Sequence, residues 1–174
     1  MSKKVALLVP NPVNGYGLFS YLEAFYEAGV KYTTFAINPN NKVKTNSGYE
    51  LSLDKNIKDL VGKENEFDGV VFACGDAIIS LGELLPTKEW QDTLKVLKNF
   101  EKLNKKIAGH CAAALIFQIA EIGEGKKMAV HPLGKSKLEK IKAVDNSSIV
   151  DGNFFTAKCE DHTKEFISWF IKFL

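Results

Sequence analysis

The sequence is poor in cysteine and proline and has no long apolar segment, and each shortage excludes a class of protein. Its three cysteines, an odd number at positions 74, 111 and 159, do not suggest a disulfide framework, and their spacing is not that of a zinc site. Five prolines and an ordinary composition argue against disordered or low-complexity segments. We therefore expect neither a metal nor a cofactor.

The charge is small and dispersed. The net charge is +2 and the lysines lie along the whole chain without a dense basic block, so a nucleic acid partner is not expected. The apolar tail at 166–174 is far too short to span a membrane, and the N-terminal stretch MSKKVALLVPNP is too short for the core of a signal peptide. These observations predict a cytoplasmic protein, and a length of 174 residues predicts a single domain, 1–174.

Apolar runs alternate with segments of helical spacing. Strands are predicted at 4–10, 31–38, 68–74, 106–110, 128–130 and 154–158. Helices are predicted at 17–28, 90–103, 112–122, 135–141 and 163–174. A hairpin is predicted within 43–53, and Asp54 is expected to cap a short helix toward Gly62. The alternation is typical of an α/β three-layer sandwich with a mostly parallel sheet and helices on both faces.

The last predicted helix is apolar nearly all round, which indicates burial in the core or in a dimer contact.

Three residues follow predicted strands and would meet at the carboxyl edge of a parallel sheet, where ligands bind in such folds: Gly75, Cys111 and His131. Cys111 lies between a strand and a helix, in KKIAGHCAAALIF. A sharp turn there would push the thiol into the cleft as a nucleophile elbow. The free N–H groups and the positive dipole end of the helix would favour the thiolate, which is the nucleophilic form.

The neighbours of Cys111 suit the same hypothesis. The three alanines at 112–114 fit a crowded turn, and the backbone N–H of Ala112 is a candidate donor to an oxyanion. Gly75 is the second candidate donor, because glycine allows close approach. The alternative is that a free cysteine only fills space in the core. We prefer that alternative for Cys74, which lies inside a strand, while Cys159 is expected in an exposed polar loop.

Three stretches resemble the ThiJ/PfpI superfamily: KKIAGHCAAALIF, GKKMAVHPLGKSKL and DGNFFTAK. This group has a flavodoxin-like, class I glutamine-amidotransferase-like fold and includes the Parkinson-associated deglycase, bacterial glyoxalases and intracellular proteases or amidases. The similarity runs through nearly the whole chain, and the spacing from Cys111 to His131, followed by Pro-Leu and Lys135, matches the deglycase branch.

The resemblance implies roles for particular residues and an assembly. Cys111 would be the nucleophile and His131 the base or orienting group. The amides of Gly75 and Ala112 would form the oxyanion hole, and the protein would be a homodimer that acts on a small-molecule substrate.

The sequence also departs from the family. In the deglycase and glyoxalase branches, a Glu or Asp after the first strand contacts the thiol and shuttles a proton, whereas Gly17 or Leu18 holds that place here. The first acidic residue is Glu23, well into the helix. The segment offers Asn14 and Tyr16, neither of which is a good base near neutral pH.

Candidates for a replacement carboxylate are Asp76 and, in the turn CEDH, Glu160 and Asp161. The alternative is that these are solvated loop charges.

Two further departures concern the other branches. The protease branch has a His directly after the cysteine, whereas here His110 precedes it, and alternation along a strand predicts that His110 points away from the thiol. Glutamine amidotransferases carry a Glu two residues after their catalytic His, where Leu133 stands here, and this disfavours that activity.

Three functions remain as hypotheses. The first is an enzyme in which Cys111 attacks an electrophilic carbon of a 2-oxoaldehyde, amide or ester. The second is a stress-protective protein in which Cys111 is oxidised to sulfenic or sulfinic acid, with Tyr16 or Asn14 adding a hydrogen bond. The third is a module that binds a small metabolite without chemistry.

Overall fold

Strands and helices alternate along residues 2–174, the part of the chain that the computed structural model describes. The strands are β1 Lys4–Pro10, β2 Lys31–Ile37, β3 Lys42–Lys44, β4 Glu50–Ser52, β5 Lys55–Asn56, β6 Gly69–Phe72, β7 Lys106–His110, β8 Lys127–Ala129, β9 Lys142–Val144, β10 Ser148–Asp151 and β11 Phe154–Ala157. The helices are α1 Gly15–Glu27, α2 Leu81–Leu84, α3 Lys88–Lys102, α4 Ala113–Ile119, α5 Pro132–Lys135 and α6 Thr163–Phe173. Short 3-10 helices lie at Ile57–Asp59, Glu64–Glu66, Asp76–Ser80 and Glu160–His162.

Seven strands form the central sheet, in the order β10-β11-β7-β6-β1-β2-β5. All neighbours are parallel except β10 and β11, which are joined as an antiparallel pair. Phe72 pairs with Gly109, and Ala157 pairs with His110, so β6, β7 and β11 end side by side. The mostly parallel sheet is confirmed, and the segments after these three strands share one edge.

The sheet has an apolar core on each face, because its strands are buried on both sides. One core contains Phe72 with side chains of α3 and α4, such as Trp90 and Phe117. The other contains side chains of α1 and α6, such as Tyr21 and Phe166. This arrangement confirms the three-layer α/β sandwich. The buried residues of α6 face the core, which is one of the two locations predicted for this apolar helix.

Most predicted elements are present, and β7 has the predicted bounds. The helix predicted at 135–141 is wrong: α5 covers Pro132–Lys135 instead, because proline is favoured in the first turn, where its missing N–H costs nothing. Asp54 does not cap a helix but accepts hydrogen bonds from the backbone N–H and hydroxyl of Thr34, at 2.9 and 2.7 Å. Asn56 caps the short helix in its place. The sequence did not predict β9 and β10, whose short segments lack a distinct apolar pattern.

Within residues 2–174, the structure contains no helix with the length and apolar character needed to cross a membrane.

Candidate functional site

Cys111 occupies the turn between β7 and α4 in a strained conformation. Its φ is 59°, in the left-handed region that residues with a side chain rarely adopt. Two hydrogen bonds of 3.0 Å hold it there: its N–H donates to the carbonyl oxygen of Ala157, and its own carbonyl oxygen accepts from the N–H of His131. The sharp strand-to-helix turn that the sequence predicts is therefore present, and it is tied to the segments on either side.

Gly75 lies where another backbone segment passes very close. A Cβ atom at this position would lie 2.4 Å from Cα of Val13 and 2.6 Å from the carbonyl oxygen of Pro12. The N–H of Asn14 also donates to the carbonyl oxygen of Cys74 at 3.1 Å. Only glycine fits in this contact, which brings the loop after β1 against the segment after β6.

A cavity of about 400 Å³ opens at this edge of the sheet. It brings together most of the residues that the sequence selects: Asn14, Gly75, Asp76, His110, Cys111, Ala112, His131 and Glu160. Three others lie outside its lining. Tyr16 is 58% exposed and lies on a separate groove between α1 and α6, Gly17 packs against His110, and Asp161 lies 3.9 Å from the sulfur of Cys159.

A second thiol, that of Cys74, lines the same cavity as Cys111. Its burial in the core agrees with the prediction from the sequence, whereas its place in the cavity was not predicted. The neighbouring Cys74 thiol lowers the pKa of Cys111, and this effect outweighs that of burial, which raises it. The Cys111 thiol and burial both raise the pKa of Cys74. The signal available in the sequence was that each cysteine lies at the end of a predicted buried strand, but only the fold makes those strands neighbours.

Glu160 brings a carboxylate to the cavity from the turn after β11. Its Oε1 accepts a hydrogen bond of 3.2 Å from the side-chain amide of Asn14, whose Oδ1 accepts from the N–H of Gly17 at 2.8 Å. The negative charges of Glu160 and Asp76 both act to raise the pKa of Cys111, although less than Cys74 acts to lower it. Two of the three proposed replacement carboxylates therefore face the thiol.

His110 is directed to the α1 side of the sheet, as the alternation along β7 predicts, and the residue also lines the cavity. Its Nδ1 is 2.5 Å from the hydroxyl oxygen of Tyr21, and its buried Nε2 has no hydrogen-bond partner in the part of the chain that is described. Burial lowers the pKa of His110 to about 3, so the ring is neutral near neutral pH.

The ring of His110 occupies the place that a side chain at position 17 would need. A Cβ atom on Gly17 would lie 2.8 Å from both Cε1 and Nε2 of this ring. In the deglycase and glyoxalase branches that the sequence resembles, this position of the helix is acidic. Here the space next to it is filled by the imidazole ring of His110, from β7.

His131 lies at the rim of the cavity, where its backbone contacts Cys111. Its ring Nδ1 accepts a hydrogen bond of 3.3 Å from the N–H of Leu133, which leaves Nε2 as the protonated nitrogen. Among residues 2–174, the structure has no hydrogen bond between this ring and the thiol of Cys111. The effect of Cys74 on the pKa of Cys111 therefore does not involve the ring of His131.

Residues 2–174 contain no group of three or more His, Cys, Asp or Glu side chains arranged to hold a metal ion.

Comparisons with known proteins identify the family and the fold. The model of the DJ-1/PfpI family matches residues 3–172. The chain is 47% identical over 161 residues to protein ppBat of Bacteroides thetaiotaomicron, with 92% of each chain covered. The crystal structure of "the putative protease I" from the same organism superposes with a TM-score of 0.97 at 44% identity, covering 99% of each chain.

A more distant structure supports the fold alone. DJ-1beta of Drosophila melanogaster superposes with a TM-score of 0.87 at 22% identity, covering 100% of this chain and 91% of the other. The family match covers nearly the whole chain, and the Bacteroides protein is similar over nearly its whole length. The chain therefore belongs to the DJ-1/PfpI family.

Proposed function

We propose that this protein is a cysteine-dependent enzyme that acts on a small electrophilic carbonyl compound, such as a 2-oxoaldehyde, an amide or an ester. The observation that carries the proposal is the thiol of Cys111, which lies half-buried in a cavity with a lowered pKa. A thiol that ionises readily and remains accessible is a good nucleophile. A cavity of about 400 Å³ suits a small molecule rather than an extended peptide.

The Cys111 thiolate would attack the carbonyl carbon, forming a C–S bond while the π electron pair moves to oxygen. An aldehyde then gives a thiohemiacetal, and an amide or ester loses its leaving group to give an acyl-enzyme that water hydrolyses. The N–H groups of Ala112 and Gly75 are the candidate donors to the oxyanion. Both residues line the cavity together with Cys74, so the oxyanion would bind in the part of the cavity that these residues share.

Proton transfer would fall to Glu160 and His131. The carboxylate of Glu160, held by Asn14, can accept a proton from a substrate hydroxyl or from water. The Nε2–H of His131 can donate to the leaving group or to the oxyanion. His110 would remain a neutral ring that fixes the position of α1 through Tyr21.

The first test is turnover of a panel of 2-oxoaldehydes, amides and esters by the wild-type protein and by two alanine variants. Cys111→Ala should lose activity by roughly 10³-fold or more, because the nucleophile is gone. Cys159→Ala is the matched control and should keep wild-type rates, since Cys159 lies outside the cavity lining. Equal turnover by Cys111→Ala and the wild type would reject the proposal.

A second pair of variants tests the carboxylate. Glu160→Gln should lower kcat, whereas Asp161→Asn, one residue further and outside the cavity lining, should not. An equal effect of both variants would point to a general charge effect instead of proton transfer.

The same proposal includes a homodimer. Phe19 and Tyr16 on α1 are 48% and 58% exposed and line the groove between α1 and α6, which a second copy would cover. Analytical ultracentrifugation of the wild type and of Phe19→Lys tests this, because a dimer through this face should dissociate in the variant.

A further inference from the structure

The two thiols of the cavity follow adjacent parallel strands. Phe72 on β6 pairs with Gly109 on β7, and Cys74 and Cys111 lie two residues beyond these paired residues. Neighbouring strands lie ~4.8 Å apart, so the backbones at the ends of β6 and β7 are within the Cα separation of roughly 4.4–6.8 Å that a disulfide requires. Both side chains pack against the same apolar core, so they lie on the same face of the sheet.

The two thiols differ in their access to solvent. Cys111 is half-buried at the cavity, while Cys74 is only 1% exposed and lies behind it. A small oxidant can therefore reach Cys111 first, and Cys74 lines the same cavity and packs against the same core beside it. In cysteine pairs that respond to oxidants, the accessible thiol reacts first and a neighbouring thiol resolves the product.

We propose that Cys74 is a resolving thiol, which forms an intramolecular disulfide with Cys111 after a hydroperoxide has oxidised Cys111 to a sulfenic acid. The disulfide would protect Cys111 from further oxidation and would reversibly remove the nucleophile of the cavity. This reaction goes beyond the proposed carbonyl chemistry and does not depend on it, because it needs no carbonyl substrate.

The reaction has two steps. The Cys111 thiolate attacks one oxygen of the hydroperoxide, an S–O bond forms, the O–O bond breaks, and the departing hydroxide or alkoxide takes a proton from solvent. The Cys74 thiol then loses its proton, its sulfur attacks the sulfur of Cys111, and the S–O bond breaks. The hydroxyl group leaves with that proton as water, and two electrons have passed from the two thiols to the peroxide.

Backbone groups assist the second step. The N–H groups of Ala112 and Gly75 act to lower the pKa of Cys74, although Cys111 and burial raise it by more. These N–H groups would stabilise the negative charge that develops on the Cys74 sulfur as it attacks.

The test is peptide mass spectrometry of the unreduced wild-type protein after treatment with a small excess of hydrogen peroxide. We expect a peptide pair joined through Cys74 and Cys111, lighter by two hydrogen atoms than the separate peptides, which dithiothreitol reverses. Cys159→Ser should give the same pair. In Cys74→Ser, which keeps the size of the side chain, Cys111 should instead accumulate as sulfinic acid.

Two outcomes would overturn the proposal. One is accumulation of Cys111 sulfinic acid in the wild type while Cys74 remains alkylatable, and the other is a disulfide that includes Cys159. The wild-type result decides the matter even if Cys74→Ser does not fold. Absence of carbonyl turnover would reject the proposed enzyme without affecting this result, so the two proposals fail separately.

Discussion

Cys111 and Cys159 follow adjacent parallel strands of the same sheet, yet the structure gives them different surroundings. Ala157 at the end of β11 pairs with His110 at the end of β7, so both cysteines lie at the same edge, and both are half-buried. Cys111 has a φ of 59° and shares its cavity with a second thiol, whereas Cys159 is extended, with a φ of −154°, and lies 3.9 Å from Asp161. A place after a strand at this edge is therefore not enough to determine the surroundings of a thiol. The turn and the neighbouring strand make the difference.

The largest expected effect concerns Gly75, whose close contact with the backbone at Val13 helps to form the cavity of Cys111. Cys159 has no comparable contact among the described residues. Gly75→Ala should lower the free energy of unfolding by about 3 kcal/mol, because its Cβ would overlap the backbone at Val13. Gly82→Ala is the control: its Cβ meets no atom within 4 Å, and alanine favours a helix. Urea unfolding of both variants measures the difference, and equal stabilities would contradict the close contact.

The next effect compares the two thiols directly. At pH 6.5, iodoacetamide should alkylate Cys111 faster than Cys159 by roughly tenfold or more, because the neighbouring Cys74 thiol lowers the pKa of Cys111. Cys74 should react more slowly than either, because it is buried and its pKa is raised. Peptide mass spectrometry over time gives all three alkylation rates. Similar rates for Cys111 and Cys159 would contradict a lowered pKa of Cys111.

A smaller effect tests the backbone strain. Cys111→Gly should unfold with a free energy about 1 kcal/mol higher than Cys111→Ala, because glycine adopts a φ of 59° without steric cost. The same pair at position 159, where the φ of −154° suits any residue, should show no gain for glycine. Thermal or urea unfolding of the four variants measures both differences. A gain of the same size at both positions would indicate a general effect of glycine.

The smallest effect concerns the carboxylate that faces Cys111. Glu160→Gln should lower the pKa of Cys111, because a negative charge near the thiol opposes formation of the thiolate. The midpoint of the alkylation rate against pH should therefore move to lower pH. Asp161→Asn is the control and should leave the midpoint in place. A shift to higher pH in Glu160→Gln would show that the carboxylate helps the thiolate instead.

Local patterns predicted much of the fold. The bounds of β7 were predicted correctly because a buried strand is a short apolar run between polar residues. The prediction failed at 135–141, where the deciding feature is the proline at the start of α5 and not the spacing of apolar side chains.

The site was predicted in part. Cys111, Gly75 and Ala112 could be selected because each follows a strand and because an elbow needs small neighbours. Tyr16 was selected for its position in the chain, but the helical turn directs it to the groove between α1 and α6. Cys74 was missed, because within its own strand it looks like any buried apolar residue.

The sequence by itself determined the alternation of strands and helices and the small residues around a cysteine at one junction, because these depend on neighbours along the chain. Only the tertiary structure decided which side chains meet that cysteine. Cys74 reaches it because β6 lies beside β7, and Glu160 reaches the cavity through a hydrogen bond to Asn14, 146 residues away in sequence. The order of strands in a parallel sheet is set by the packing of the whole chain, so no local pattern contains these contacts.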